Sequence, residues 1–207
     1  MNQTESIFPT AYFPSLTYLT HALKHDILTL EAWENFPKQT FRNRCNILGP
    51  NGIQSLSIPT MKTADPKRLI RDVRISNEDR WQQIHWRSIT SAYNKSPYFM
   101  YYRDELEPVF YKKHDYLLEL NHEILKLILK FLKVDMEIQY TEIFTAIGSV
   151  SCDFRYVLSP KIPCSLIFPL YYQVFRDRYD FIPDLSILDL LFNLGPESKF
   201  YLKNINI

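Results

Sequence analysis

The sequence predicts an α/β fold with a single domain, in which helices pack around a mixed sheet. Strand and helix patterns alternate along much of the chain, and the first unit is strand–helix–strand, which favours a parallel pair. Two later strand patterns are joined by a short turn, which favours an antiparallel hairpin. The chain has 207 residues, somewhat more than a typical domain, so one domain over residues 1–207 is expected. An α+β arrangement is the alternative.

The predicted strand–helix–strand unit lies near the amino terminus. A short strand is predicted from Ser6 to Pro9, and a second from Asp26 to Leu30. Between them, Ser15 can cap a helix. The apolar stripe of that helix consists of Leu16, Leu19 and Leu23.

The hairpin comes next. A strand is predicted from Lys38 to Ile47, and Ile53 to Ile58 returns as its partner. Pro50-Asn51-Gly52 supplies the turn, because Asn and Gly adopt a positive φ at little cost. A further short strand is predicted from Asp72 to Ile75.

Helices dominate the rest of the predicted secondary structure. Ser76 followed by Asp79 resembles a capping box that opens a helix ending near Tyr93. The clearest amphipathic pattern runs from Tyr116 to Lys133. A possible strand over Glu137 to Thr141 precedes a poorly periodic stretch. The last predicted elements are a short helix from Ser186 to Asn193 and a helical piece from Pro196 to Leu202.

Composition excludes several classes of function. The net charge is +1, which does not suit a protein built to bind nucleic acid or a membrane surface. No apolar run reaches the roughly 18 residues that span a membrane, and the first residues lack the pattern of a signal peptide. The three cysteines contain no CxxC pair, so we expect a reduced, cytoplasmic protein. The oligomeric state is not predicted.

Glycine is scarce, and this limits how a phosphate could be bound. The chain has four glycines, and none of them forms GxGxxG or GxxxxGK[ST]. The two standard glycine-rich phosphate loops are therefore excluded. If a phosphate binds, side chains must hold it. No cofactor is predicted.

A cluster of cations supplies a candidate anion site. Lys38, Arg42 and Arg44 lie within seven positions, and no acid occurs from Asn35 to Ala64. On a strand, the three side chains would share one face, where two arginines can present guanidinium groups to one phosphate. The alternative is a solvated face whose cations pair with acids such as Glu31 and Glu34.

One histidine is a candidate general base. On the predicted helix, His85 falls on an apolar stripe between Trp81 and Ile89. Such a histidine can have a lowered pKa and accept a proton in catalysis, or it can be a hydrogen-bonded core residue. Tyr12, Trp81 and Tyr93 are expected to provide an aromatic wall for a base or sugar.

No metal site is predicted. His21 and His25 have helical metal-ligand spacing, but the glutamate of HExxH is missing because Ala22 follows the first histidine. A third ligand is not visible in the sequence.

Several stretches together resemble the WbqC-like protein family: PTAYFPSLTYL, ENFPKQTFRNRCNILGPNGIQSLSIP, WQQIHWRSITSAYNKSPYFMYY, YYQVF and FIPDLSILDLLFNLG. The resemblance covers nearly the whole chain, and the long KQTFRNR block is its most specific part. The positions matching the family's motifs are Tyr12, Pro14, Lys38, Arg42, Asn43, Arg44, Asn51, Gly52, Pro59, Trp81, His85 and Tyr93. The resemblance adds Asn43 to the candidate anion site. Many members have PNYFPW where this chain has PTAYFPS.

The family is associated with genes for bacterial O-antigen and related surface polysaccharides, which implies work on activated sugars. The resemblance therefore implies an enzyme that modifies a nucleotide-linked sugar by group transfer, with the cations on its phosphates and His85 as base. One alternative is a non-catalytic protein that binds an anion or an acidic partner. The other is a nucleotidyl-transfer enzyme, suggested only by the layout of the opening strand–helix–strand unit.

Overall fold

The computed structural model describes residues 6–63 and 67–207, and it has a mixed α/β fold. The strands in these residues are β1 (Ser6–Ile7), β2 (Ile27–Leu30), β3 (Arg44–Gly49), β4 (Gly52–Ser57), β5 (Glu137–Tyr140) and β6 (Cys152–Asp153). The α-helices are α1 (Leu16–Ala22), α2 (Trp81–Tyr93), α3 (Phe99–Leu106), α4 (Leu117–Phe131), α5 (Ile187–Leu194) and α6 (Ser198–Lys203). None of these helices combines the length and apolar character that a membrane crossing requires.

Four parallel strands form the main sheet. β1 pairs with β6 and β2 pairs with β5, both in parallel. A parallel bridge from Phe8 to Leu30 joins the two pairs, so the strand order is β6-β1-β2-β5. The hairpin β3–β4 is antiparallel and forms its own two-stranded ladder. The predicted combination of a parallel unit with an antiparallel hairpin is confirmed.

The opening unit forms as the sequence predicts. Ser15 caps α1 by accepting a hydrogen bond from the amide of Tyr18 at 3.4 Å. Leu16 and Leu19 are fully buried, which explains why the chain turns back to place β2 parallel to β1. β2 alternates half-buried and buried residues, with Leu28 and Leu30 facing the core.

One predicted strand starts too early, and another predicted strand does not form. The strand predicted from Lys38 begins only at Arg44, because Lys38 to Asn43 form turns and Gln39 has a φ of 61°. A residue in the left-handed region interrupts the extended backbone that a strand needs. The strand predicted from Asp72 is instead a 3-10 helix over Ile70–Asp72, followed by isolated bridges at Arg74 and Ile75.

The predicted start of the second helix is also wrong. α2 begins at Trp81, and no side chain caps its first turn, so the Ser76 and Asp79 pattern does not act as a capping box. Its end at Tyr93 is confirmed. α3, just after Pro97, was not predicted because its aromatic residues have no clear helical period.

The core is one continuous cluster that runs from Phe8 to Ile205. α4 contributes its apolar face, with Leu120, Ile124 and Ile128 almost fully buried. Between β5 and α5, the two residues of β6 are the only helical or strand residues that the structure describes. That one domain covers the whole chain stays a prediction.

Candidate functional site

The parallel strands bring their carboxyl ends together at one edge of the sheet. Glu31 follows β2 directly, Thr141 follows β5 directly, and Arg155 lies two residues beyond β6. In open α/β sheets, ligands bind outside this edge. The residues that follow these strands therefore define the first candidate site.

Two buried arginines form three ion pairs at this edge. Arg42 donates from Nε and Nη2 to the two carboxylate oxygens of Glu34, both at 2.6 Å. Arg155 donates from Nη1 to Glu31 Oε2 at 2.9 Å, and from Nε and Nη2 to Asp153 at 2.9 and 2.5 Å. Arg42 also donates to the Arg155 carbonyl at 3.1 Å, which joins the two arginines. Both guanidinium groups are thus paired with carboxylates inside the protein.

The pKa shifts in this network follow from burial and pairing. Burial raises the pKa of Glu34, and the hydrogen bonds and charge of Arg42 offset part of that rise. The hydrogen bond from Arg155 lowers the pKa of Asp153. A buried arginine–carboxylate pair is costly to desolvate, so this network fixes the geometry of the edge more than it adds stability.

These contacts correct the prediction that Lys38, Arg42 and Arg44 share one strand face as an anion site. Arg42 is 2% exposed and locked to Glu34, whereas Lys38 is exposed in a turn and Arg44 is half-buried on β3. Asn43 donates from its amide to the Ile58 carbonyl at 2.9 Å. The three cations do not share a strand face, because the segment before Arg44 is not a strand. The alternative, a pairing with Glu34, is correct for Arg42.

The predicted aromatic wall is wrong as well. Tyr12, Trp81 and Tyr93 are 1%, 3% and 0% exposed, so these rings belong to the core and do not border a groove. The Tyr93 hydroxyl accepts a hydrogen bond from the Leu48 amide at 3.2 Å, which fixes α2 against β3.

His85 is buried, as the stripe on α2 predicts. It is 4% exposed and packs against Trp81, with 5.2 Å between ring centroids. Its Nδ1 lies 2.9 Å from the Tyr12 hydroxyl, and a backbone hydrogen bond with Ser57 engages the ring a second time. Burial lowers the pKa of His85 to about 4, although the Ser57 bond opposes this shift.

Two neighbours hold the His85 ring. The Tyr12 hydroxyl lies at hydrogen-bond distance from Nδ1, and the backbone of Ser57 raises the pKa of the ring, as a carbonyl acceptor does. The catalytic role of His85 stays a prediction, and in this arrangement the ring holds Tyr12 and Ser57 in place.

A second cationic feature lies beside the same edge of the sheet. Three arginines, each three residues after the last, stack on aromatic rings: Arg68 on Phe36 at 5.0 Å, Arg71 on Trp33 at 3.7 Å and Arg74 on Tyr116 at 5.0 Å. We call these six residues the arginine–aromatic surface. The backbone of Leu69 bridges Asn35, and the amide of Ile70 bonds the Glu34 carbonyl, so this segment follows the chain just beyond β2.

Arg71 is the member of this surface that is open to a ligand. Its side chain is 41% exposed, and its nearest acid among the described residues is Asp72 at 3.6 Å, beyond hydrogen-bond distance. Trp33 beneath it is held from two sides, because its indole N–H donates to the Thr141 carbonyl and its amide donates to Glu31. Arg68 and Arg74 already bond Thr60 and Tyr116. The surface can therefore present the exposed guanidinium of Arg71, whose long ion pair with Asp72 is made through Nε, on a fixed aromatic platform.

Sequence reasoning missed most of this edge. The spacing of Arg68, Arg71 and Arg74 is visible in the sequence and could have been noticed. Arg155 carried no comparable signal, since its partner Glu31 is 124 positions away.

A third buried carboxylate connects two of the family-like stretches. Asp189 on α5 is fully buried and accepts hydrogen bonds from the Tyr171 hydroxyl at 2.6 Å and the Gln173 amide at 2.9 Å. Burial raises the pKa of Asp189. These bonds, both made to Oδ2 of Asp189, tie the irregular segment around residue 172 to the helix.

Among the described residues, no three His, Cys, Asp or Glu side chains are grouped closely enough to hold a metal ion. His21 and His25 flank the Phe154 ring, at 4.8 and 6.5 Å between centroids. That the protein needs no metal stays a prediction.

Comparison with known proteins gives one family and one distant relative. The model of the WbqC-like protein family matches residues 10–153, a range that includes Glu31, Glu34, Arg42 and Asp153. The chain is 24% identical over 218 residues to the uncharacterized protein Rv1507c of Mycobacterium tuberculosis, covering 93% of this chain and 91% of the relative. No solved structure matches the chain significantly.

Proposed function

The chain belongs to the WbqC-like protein family, and from this premise we propose that it binds a nucleotide-linked sugar and modifies the sugar by group transfer, as a cytoplasmic protein of bacterial surface-polysaccharide biosynthesis. The transfer step and the setting rest on the association that this family has with O-antigen genes. The binding step rests on the arginine–aromatic surface.

The single observation that supports binding is the Arg71–Trp33 stack. It lies beyond the carboxyl end of β2, where parallel sheets bind their ligands. A guanidinium group forms two-pronged hydrogen bonds with phosphate, and a neighbouring indole offers a face for a base or sugar. Because the glycine-rich loops are missing, such side-chain contacts are the available means of holding a diphosphate. This site replaces the ladder of Lys38, Arg42 and Arg44 as the proposed anion site.

A non-catalytic role in binding an anion or an acidic partner is the second candidate. The specific observation in its favour is the burial of His85, which is 4% exposed and whose Nδ1 already lies 2.9 Å from the Tyr12 hydroxyl inside the core. If no other residue accepts the proton of the acceptor group, the protein binds its ligand without transforming it.

A thermal-shift screen separates the two candidates, because a ligand that binds the native state raises the melting temperature. Nucleotide sugars, the matching free nucleotides and a polyanion such as heparin would be tested at equal charge concentration. Group transfer to a sugar predicts the largest shift for one nucleotide sugar, above its free nucleotide. Equal shifts for all phosphates, or a shift only with the polyanion, would support the non-catalytic role. No shift with any compound contradicts both.

A further inference from the structure

A surface groove runs between α4 and the edge strand β5. Its helix wall is a row of residues four positions apart: Leu118, His122, Lys126 and Lys130. Its strand wall is a row of alternate residues: Val134, Met136, Ile138 and Tyr140. At 1.5 Å per helical residue, the helix row is about 18 Å long.

The groove consists of two adjoining cavities of about 550 and 460 Å³. His122 and Lys126 line both of them, so these two residues mark the centre. The sizes match those of pockets for small molecules, which are mostly apolar and contain a few converging polar groups. The apolar residues of the strand wall stay partly exposed for two reasons. β5 is the outer strand of the described sheet, and α4 covers the apolar face of β5 only in part.

The polar side chains at the centre of the groove are His122, Tyr140 and Lys126, and the first two bond to each other. His122 Nδ1 lies 2.6 Å from the Tyr140 hydroxyl. Lys126 is exposed, and no acid of the described residues lies within ion-pair distance of it. The other charges of the groove are partly satisfied, since Glu123 pairs with Lys112 and Lys130 pairs with Glu105. Lys126 is thus an exposed cation beside a hydrogen-bonding pair, and it forms no ion pair with an acid of the described residues.

The two cavities differ in charge, and this difference orients a ligand. The cavity at the start of α4 is lined by Glu119 and Glu123, whose carboxylates repel an anion. The other cavity has no acid among its lining residues, and four of its seven lining residues are apolar. These are Leu129, Val134, Met136 and Ile138.

We propose that this groove binds an amphiphile with an anionic head and an apolar chain. The head lies between His122 and Lys126, and the chain lies along Leu129, Val134 and Met136. A macromolecular partner fits less well, because the centres of protein interfaces are depleted of lysine, whereas here a lysine occupies the centre. The inference does not depend on the proposed function, since it uses none of the same residues.

The test is a calorimetric titration of the full chain with decanoate, kept below its micelle-forming concentration. We expect saturable binding of one decanoate per chain and weaker binding of decanol, which has no charge. Lys126→Met keeps an unbranched side chain that is one atom shorter and removes the charge, so it should weaken decanoate binding about tenfold or more and leave decanol unchanged. The matched control is Lys95→Met, an exposed lysine outside the groove, which should bind decanoate as the wild type does.

A second variant and a second readout locate the chain of the ligand. Met136→Glu places a carboxylate in the apolar cavity and should abolish decanoate binding, while circular dichroism confirms that the variant is folded. In the wild type, decanoate should shift the NMR signals of the His122 ring, identified by their loss in His122→Gln. No saturable binding, or equal losses in the two lysine variants, would overturn the proposal. A concentration-dependent dimer that Met136→Glu disrupts would also overturn it and assign the groove to a second copy of the chain.

Discussion

At the scale of single residues, the most consequential finding is how the protein uses its buried charges. The sequence places Arg42 in an apparently unanswered cationic cluster, yet its partner Glu34 lies only eight positions earlier. A pairing with Glu31 or Glu34 was the alternative that the sequence left open, and Arg42 adopts the pairing with Glu34. The turn around Gln39 redirects Arg42 into the core and leaves Lys38 in solvent.

The Arg42–Glu34 pair gives a stability prediction. Arg42→Met leaves the Glu34 carboxylate buried without its partner, which should lower the free energy of unfolding by about 3–5 kcal/mol. The double variant Glu34→Leu/Arg42→Met removes both charges and should recover most of that loss. Urea denaturation of the single and double variants measures both values. A loss below about 1 kcal/mol in Arg42→Met would mean that the pair is not formed as described.

His85 gives a prediction about pH. The pKa of the ring falls from 6.5 to about 4 on folding, so the unfolded chain binds a proton at a pH where the native chain does not. Above pH 6.5 the titration of His85 does not reduce the free energy of unfolding. As the pH falls from 6.5 toward 4, that free energy falls by about 3 kcal/mol. In His85→Gln this part of the pH dependence should disappear.

The same variant separates the structural from the catalytic role of His85. We expect His85→Gln to lower the melting temperature, because it disturbs the bonds to Tyr12 and Ser57. Binding of a nucleotide sugar, measured below the melting temperature, should be unchanged. A variant with wild-type stability but no transferase activity would instead support His85 as the catalytic base.

At the scale of elements, the predictions succeed where the pattern is local. α4 was predicted over Tyr116 to Lys133 and forms over Leu117–Phe131, because its apolar face repeats over four turns. Ser15 and Ser186 both cap their helices as predicted. α3 and the 3-10 helix at Ile70–Asp72 were missed, since tertiary contacts rather than a local pattern stabilise them.

The end of α5 supplies a prediction at this scale. Gly195 has a φ of 56°, and a Cβ placed on it would lie 2.5 Å from the Tyr98 ring. Gly148 has a φ of 83° but has open space around it. Gly148→Ala should therefore cost only backbone strain, about 1 kcal/mol, whereas Gly195→Ala should cost clearly more because the ring must also move. Equal losses in thermal denaturation would mean that the Tyr98 contact is not present in solution.

At the scale of the whole molecule, the sequence predicted the mixed α/β fold and the family, but not the place of the candidate site. The parallel order β6-β1-β2-β5 could not be inferred, because β5 and β6 join strands more than a hundred positions earlier. That order brings Glu31, Thr141 and Arg155 to one edge and places the arginine–aromatic surface beside it. The proposed anion site is therefore the arginine–aromatic surface, which the fold assembles, and not the local cluster of cations that the sequence suggested.

The most direct test of the account is a calorimetric titration with the nucleotide sugar that gives the largest thermal shift. The wild type and Arg87→Ala, which removes an exposed arginine on α2, should bind alike. Arg71→Ala should weaken binding about ten- to a hundredfold, and Arg71→Lys should also weaken it, because an ammonium group cannot form the two-pronged contact. If Arg71→Ala binds the ligand as tightly as Arg87→Ala does, the arginine–aromatic surface is not the anion site.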